Sequence, residues 1–149
     1  LATIDFAGRY YALTKREPAA GRPWTESKAD HEKIIASLGL AARYFKKEGF
    51  FRCEEKDGDI VSWLHLTFRG GVLEMGFYVN TPAGNLGGTA HGLAKSVAKR
   101  VDPNFSRKPP YPRVPYGSRD EVVDAIRECV VLFRQVKRAA LEAEGYERS

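Results

Sequence analysis

Residues 50–80, "FFRCEEKDGDIVSWLHLTFRGGVLEMGFYVN", decide the fold. The stretch divides at Asp57-Gly58 and at Gly70-Gly71, dipeptides at which tight hairpins turn. Between them apolar and polar residues alternate with the period of half-buried strands. The reading is a three-stranded antiparallel meander. If both dipeptides are two-residue loops, register follows by arithmetic. Phe68 faces Leu73, Leu66 faces Met75 and Leu64 faces Phe77, while Phe51 of the first strand faces Leu64 and Cys53 falls opposite Ser62. These residues make a core face. A one-residue slip would expose all of it, so turns and pattern support each other. The opposite face pairs Trp63 with Tyr78, Thr67 with Glu74 and His65 with Gly76. Arg52 lands beside Trp63, where a guanidinium can stack on the indole, and Phe50 lands beside His65.

Helical spacing surrounds this meander. Upstream, Ile34, Leu38, Ala41 or Ala42, and Phe45 recur on one face. They predict one helix capped by Thr25 or Ser27 and closed by Gly49, with Lys46 and Lys47 at its negative end. Gly39 then sits in the helix interior at a cost of about 1 kcal/mol. Phe6, Tyr10 and Leu13 predict a shorter helix within residues 3–16. The loop "EPAAGRPW" follows it, anchored by Trp24, and completes an N-terminal segment over 1–24. Downstream, Pro82 ends the meander and "AGNLGG" reads as a flexible connection. "TAHGLAKSVAKRV" predicts a helix carried by Leu93, Val97 and Val101 and stopped by Pro103. "DPNFSRKPPYPRVPYG" reads as a stiff surface loop bearing Phe105, Tyr111 and Tyr116. The last helix opens on a capping box of Ser118 and Glu121, each side chain answering the other's amide. Val122, Ile126, Cys129, Val130, Phe133, Val136 and Ala140 form its apolar stripe, and residues 143–149 fray. The expectation is one α+β domain over residues 1–149. Its antiparallel sheet of three or more strands is packed on one face by N- and C-terminal helices.

With 149 residues, 43% hydrophobic and 29% charged, the chain suits a single globular domain. No apolar run approaches a membrane span, and the N-terminus lacks the charged and apolar regions of a signal peptide. A cytoplasmic protein without membrane contact is expected. Cys53 and Cys129 fall on predicted apolar faces and read as buried free thiols. The net charge of +5 allows an acidic partner without choosing its class.

Catalytic and cofactor motifs fail on inspection. "GNLGGTAHG" precedes a helix, but Thr89 and Ala90 follow Gly88 where a phosphate loop needs Lys and Ser or Thr. "HEKII" places Ile35 where a zinc-binding pair needs histidine, and His31 reads as solvent-facing. No metal or cofactor is expected. His65 is the best acid–base candidate, because Glu74 shares its face, diagonal to it. The stretch from Ala90 to Arg119 holds seven basic residues, Lys95, Lys99, Arg100, Arg107, Lys108, Arg113 and Arg119, against one acid, Asp102. Interleaved with aromatics, such a stretch can hold single-stranded nucleic acid, or it can be a solvated helix face followed by an anchored loop.

The order of elements resembles a family of small bacterial α+β proteins often encoded beside polymorphic or secreted toxins. The resemblance covers residues 27–142 and is carried by "YFKKEGFFRCEEKDGDIVSWLHLTFRGGVLEMGFYVN" and the closing helix "SRDEVVDAIRECVVLFRQVKRAAL". It implies an immunity protein that neutralises a cognate toxin or effector by binding and carries no catalytic residue across. Basic charge departs from the acidic character of many nuclease inhibitors and points to an acidic or shape-matched toxin surface. The expected contact residues are Arg52, Trp63, His65, Glu74 and Tyr78 on the outer sheet face, or Arg107, Tyr111, Arg113 and Tyr116 in the basic loop. The alternatives are nucleic-acid binding by residues 90–119 and a small enzyme centred on His65.

Overall fold

The structure, a computed structural model, describes residues 5–18, 26–106 and 113–143. Trp24, Thr25, Arg107, Lys108 and Tyr111 lie outside the described residues, as does the tail beyond residue 143. The elements run α1 (Phe6–Thr14), α2 (Lys28–Ser37), β1 (Ala42–Phe45), β2 (Phe50–Asp57), β3 (Ile60–Phe68), β4 (Val72–Thr81), β5 (Gly84–Thr89), α3 (Ala90–Val101), β6 (Val114–Pro115) and α4 (Arg119–Ala143). The strands form one antiparallel sheet in the order β1-β2-β3-β4-β5. β6 joins the N-terminal half of β4 on the edge that β5 occupies further along. The expected α+β class with N- and C-terminal helices on the sheet is what the chain adopts.

The core lies between the sheet and the helices. Phe6, Tyr10 and Leu13 of α1, Ile34 and Ile35 of α2, and Ala94 and Val97 of α3 meet Phe51, Cys53, Leu64, Leu66, Leu73, Met75 and Phe77 of the sheet. α4 adds Val122, Ala125, Ile126, Cys129, Leu132, Phe133 and Val136, close to its predicted stripe. Both cysteines are buried and free, and burial pushes the Cys53 thiol up to about 11.

Three sequence readings give way to tertiary structure. First, the helix expected from Thr25 or Ser27 to Gly49 stops at Ser37. Ser27 is its N-cap, in a box with Asp30. Its end is a Schellman motif: Gly39 adopts φ +76°, its amide donates to Ala36, and Leu40 donates to Ile35. Gly39 therefore terminates the helix and does not sit inside it. The residues after it, with β-prone Tyr44 and Phe45, pair with β2, and Lys46 to Gly49 become a hairpin loop.

Second, the β2–β3 turn is Gly58-Asp59, with Asp57 opposite Ile60. Gly58 has φ +62° and Asp59 has no positive φ, as a type II′ turn requires with glycine first. The register shifts by two from the expected one: Phe51 faces Leu66, Cys53 faces Leu64 and Arg52 faces His65. An even shift preserves which face each residue occupies, so the core face stands as read. The Gly70-Gly71 turn and every predicted β3–β4 pair are found as expected.

Third, the "AGNLGG" connection is strand β5, turning at Pro82-Ala83. It lacks an apolar alternation because it is held by backbone pairing. A Cβ on Gly87 would lie 2.0 Å from the Phe77 carbonyl oxygen, so glycine is what lets β5 approach β4.

Smaller differences follow from packing. α3 is capped by the Thr89 hydroxyl, which accepts from Gly92 at 3.3 Å. It buries Ala90, Ala94 and Val97 and leaves Val101 77% exposed, although Val101 was expected on its apolar face. At α4 the Ser118 hydroxyl accepts from the Glu121 amide at 3.2 Å, but the Glu121 carboxylate takes the Gly117 amide, one residue earlier than expected. The proline-rich stretch contributes β6, paired with Val72 and Leu73.

Candidate functional site: the helix-free sheet face

Among the described residues all helices pack on the core face, so the other face of the sheet carries the side chains left over by strand alternation. Pairing arranges them in rows across the strands. One row runs Arg43, Arg52, His65, Gly76, Thr89. On one side of it lies the row Glu54, Trp63, Tyr78, Gly87. On the other side are Phe45 with Phe50, and Thr67 with Glu74.

The rings form a continuous ladder. Phe45 stacks on Phe50 with centroids 4.9 Å apart, Phe50 on His65 at 4.4 Å, and His65 meets Tyr78 at 4.6 Å. Near-parallel rings this close stack face towards face, so the facing sides of Phe45, Phe50 and His65 cover one another. Gly76 makes room for the far end, since a Cβ there would sit 2.7 Å from the Tyr78 ring. Arg52 lies across the ladder, its guanidinium 4.6 Å from the Phe45 ring centre, 5.9 Å from Phe50 and 5.0 Å from Trp63. The expected contacts of Arg52 with Trp63 and of Phe50 with His65 thus both form despite the shifted register. Diagonal neighbours on a sheet lie within reach of aromatic and long side chains.

His65 is a hydrogen-bond acceptor, not an acid paired with Glu74. Arg52 Nε donates to His65 Nε2 at 3.1 Å. Burial first, and the Arg52 charge second, push the imidazole down to about 4. Near neutral pH it is therefore uncharged. Glu74 is engaged on the far side, 2.7 Å from Arg113 Nε and 3.3 Å from Arg69 Nε. Trp63 donates its indole N–H to Glu54 at 3.0 Å. Among the described residues no group of three His, Cys, Asp or Glu is placed to hold a metal ion.

The described aromatics of the basic stretch face inward. Tyr116 is 3% exposed and donates its hydroxyl to Glu26, and Phe105 packs against Tyr11 with ring centres 5.6 Å apart. They anchor the chain against the core, Tyr116 fully and Phe105 in part. The predicted sites Arg113 and Tyr116 lie outside the ladder: Arg113 pairs with Glu74, and Tyr116 donates to Glu26. His31, expected to face solvent, lies in the same interior. Its ring stacks on Phe68 at 3.9 Å and its Nε2 sits 3.2 Å from Glu26 Oε1. The stacking on Phe68 joins positions distant in chain order, so no local pattern announces it. Arg43, Phe45 and Phe50 complete the ladder and were not singled out by sequence. Arg43 and Phe45 were hidden by the helical reading of β1, and Phe50 was named only as a neighbour of His65.

No protein family, curated protein or solved structure matches this chain. No helix among the described residues is long and apolar enough to cross a membrane.

Proposed function

We propose that this protein acts by binding another protein on the sheet face opposite its described helices, as an immunity protein that neutralises a bacterial toxin or effector. The supporting observation is the pre-packed ladder of Phe45, Phe50, His65 and Tyr78 crossed by Arg52, with Trp63 beside it. Rigid aromatic and arginine side chains make good interface anchors, because they bury much area and lose little freedom on binding. Here intramolecular stacking already restrains them. The ladder offers ring edges and guanidinium groups. Bases stack on ring faces, and these are largely taken up within the ladder.

Co-expression with the protein encoded beside its gene tests the reading. A toxic neighbour should be neutralised and should co-elute in a stable complex. Trp63→Ala and Arg52→Ala should each weaken the complex by tenfold or more, as hot-spot truncations do. A neutralised toxin whose binding is indifferent to both substitutions would place the contact elsewhere.

A further inference from the structure

The outer face breaks a pairing rule in one row. Arg43 and Arg52 are directly opposite on β1 and β2, and like charges so placed destabilise a sheet. The row continues through His65, Gly76 and Thr89, none of which carries negative charge near neutral pH. The carboxylates flanking the row are engaged elsewhere: Glu54 with Trp63 and Lys56, Glu74 with Arg69 and Arg113. Among the described residues, none of the ion pairs includes Arg43 or Arg52. Both guanidiniums instead rest near the Phe45 ring, at 4.9 and 4.6 Å.

A guanidinium has five N–H donors, and Arg52 directs its Nε donor to His65. The planar fork suits a carboxylate or phosphate taken through two parallel bonds. Ring contact holds the fork in place and removes water from one side of it. Breaches of local pairing without internal compensation are expected where a surface serves a partner.

We propose that the Arg43–Arg52 row is a carboxylate receptor, and that the partner protein's docking segment presents an aspartate or glutamate side chain to it. The inference rests on the docking reading above and adds the partner's chemistry. Two features favour a protein carboxylate over a nucleic-acid backbone. The ladder's ring faces are occupied by one another and by Arg52, so bases find little platform. Glu54 and Glu74 stand on either side of the row. A peptide side chain is flexible enough to bring its carboxylate between them, whereas phosphates fixed along a nucleic-acid backbone pass close to both and meet like-charge repulsion.

The test is an NMR titration of the full chain, following arginine Nε–H and tryptophan indole signals. The probes are a short oligoglutamate peptide, a thymidine oligonucleotide of equal charge, and inorganic phosphate. Oligoglutamate should shift Arg43 and Arg52 saturably. Arg43→Gln or Arg52→Gln should weaken that binding about tenfold, the loss of one charge-assisted contact, and Arg100→Gln on α3 should not. Arg43→Gln should melt no lower than the parent, since it removes a like-charge pair. The proposal is overturned if oligoglutamate gives no saturable shift, if oligonucleotide or phosphate binds as tightly, or if the response centres on α3. The two readings fail separately. A toxin complex of unchanged affinity in the Arg43→Gln variant, with Trp63→Ala and Arg52→Ala still weakening it, overturns the receptor and leaves the docking face standing. A complex indifferent to Trp63→Ala, with the oligoglutamate shifts intact, overturns the docking face.

Discussion

Acid should weaken this fold partly through His65, and the size of the effect follows from its surroundings. Its Nε2 accepts a hydrogen bond from Arg52, which requires that nitrogen to be unprotonated. Its ordinary value of 6.5 is pushed to about 4 in the fold, by burial first and Arg52 second. Between those values the unfolded chain binds a proton that the folded chain refuses. Stability is therefore fully present above about pH 6.5 and falls as pH drops towards 4. At about 1.4 kcal/mol for each pH unit, the whole interval has a ceiling of about 3 kcal/mol, and lowering the pH to about 5 reaches about 2 of it. His65 is partly open to solvent, and screening reduces that figure to about 1 kcal/mol.

The assay is urea unfolding at about pH 7.5 and about pH 5, for the parent and for His65→Gln. Glutamine keeps a carbonyl acceptor for Arg52 and does not titrate. His31 and His91 are also shifted down, by burial first in each case, so the parent's total loss includes them. The difference between the two proteins isolates His65: the variant should lose about 1 kcal/mol less on acidification. Equal losses in both proteins would refute the neutral, Arg52-bonded His65. A greater loss in the variant would refute it as well.

Other substitutions test the fold and the anchors around this face. Gly87→Ala drives a Cβ into the Phe77 carbonyl and should cost about 3 kcal/mol or more in urea unfolding, or detach β5 with loss of amide protection along it. Phe77→Ala empties the centre of a fully buried cluster and should cost about 3–5 kcal/mol. Ser27→Ala removes the α2 cap and should cost about 1 kcal/mol. Tyr116→Phe takes the hydroxyl from the part-buried Glu26 carboxylate and should cost about 1–3 kcal/mol. A neutral result for that last variant would mean that water replaces the hydroxyl at no cost.

The meander was legible because strand alternation and glycine turns are local and mutually restrictive. Its β3–β4 register came out pair by pair. The β2–β3 register did not, because Asp57-Gly58 and Gly58-Asp59 are both acceptable turns, and choosing between them depends on how the strands settle. Ile34, Leu38 and Phe45 recur at helical spacing, yet Phe45 belongs to a strand. The Gly39 stop was visible, but glycine within a helix and glycine beyond its end look alike until the backbone turns left-handed. β5 carries no apolar pattern to read.

Residue order and periodicity were enough for the α+β class, the two faces of the sheet and most of the core. Those depend on side-chain period, which survives an even register error. Tertiary structure alone decided what the outer face is made of. Moving β1 from helix to sheet edge placed Arg43 and Phe45 beside Arg52 and Phe50. The two-residue shift set His65 under Arg52 in place of Trp63, and the Arg69 and Arg113 side chains drew Glu74 away from it. The candidate acid–base residue thus became a neutral ring in a stacked ladder. Contacts between strands distant in chain order carry that change, and they leave no periodic trace in the sequence.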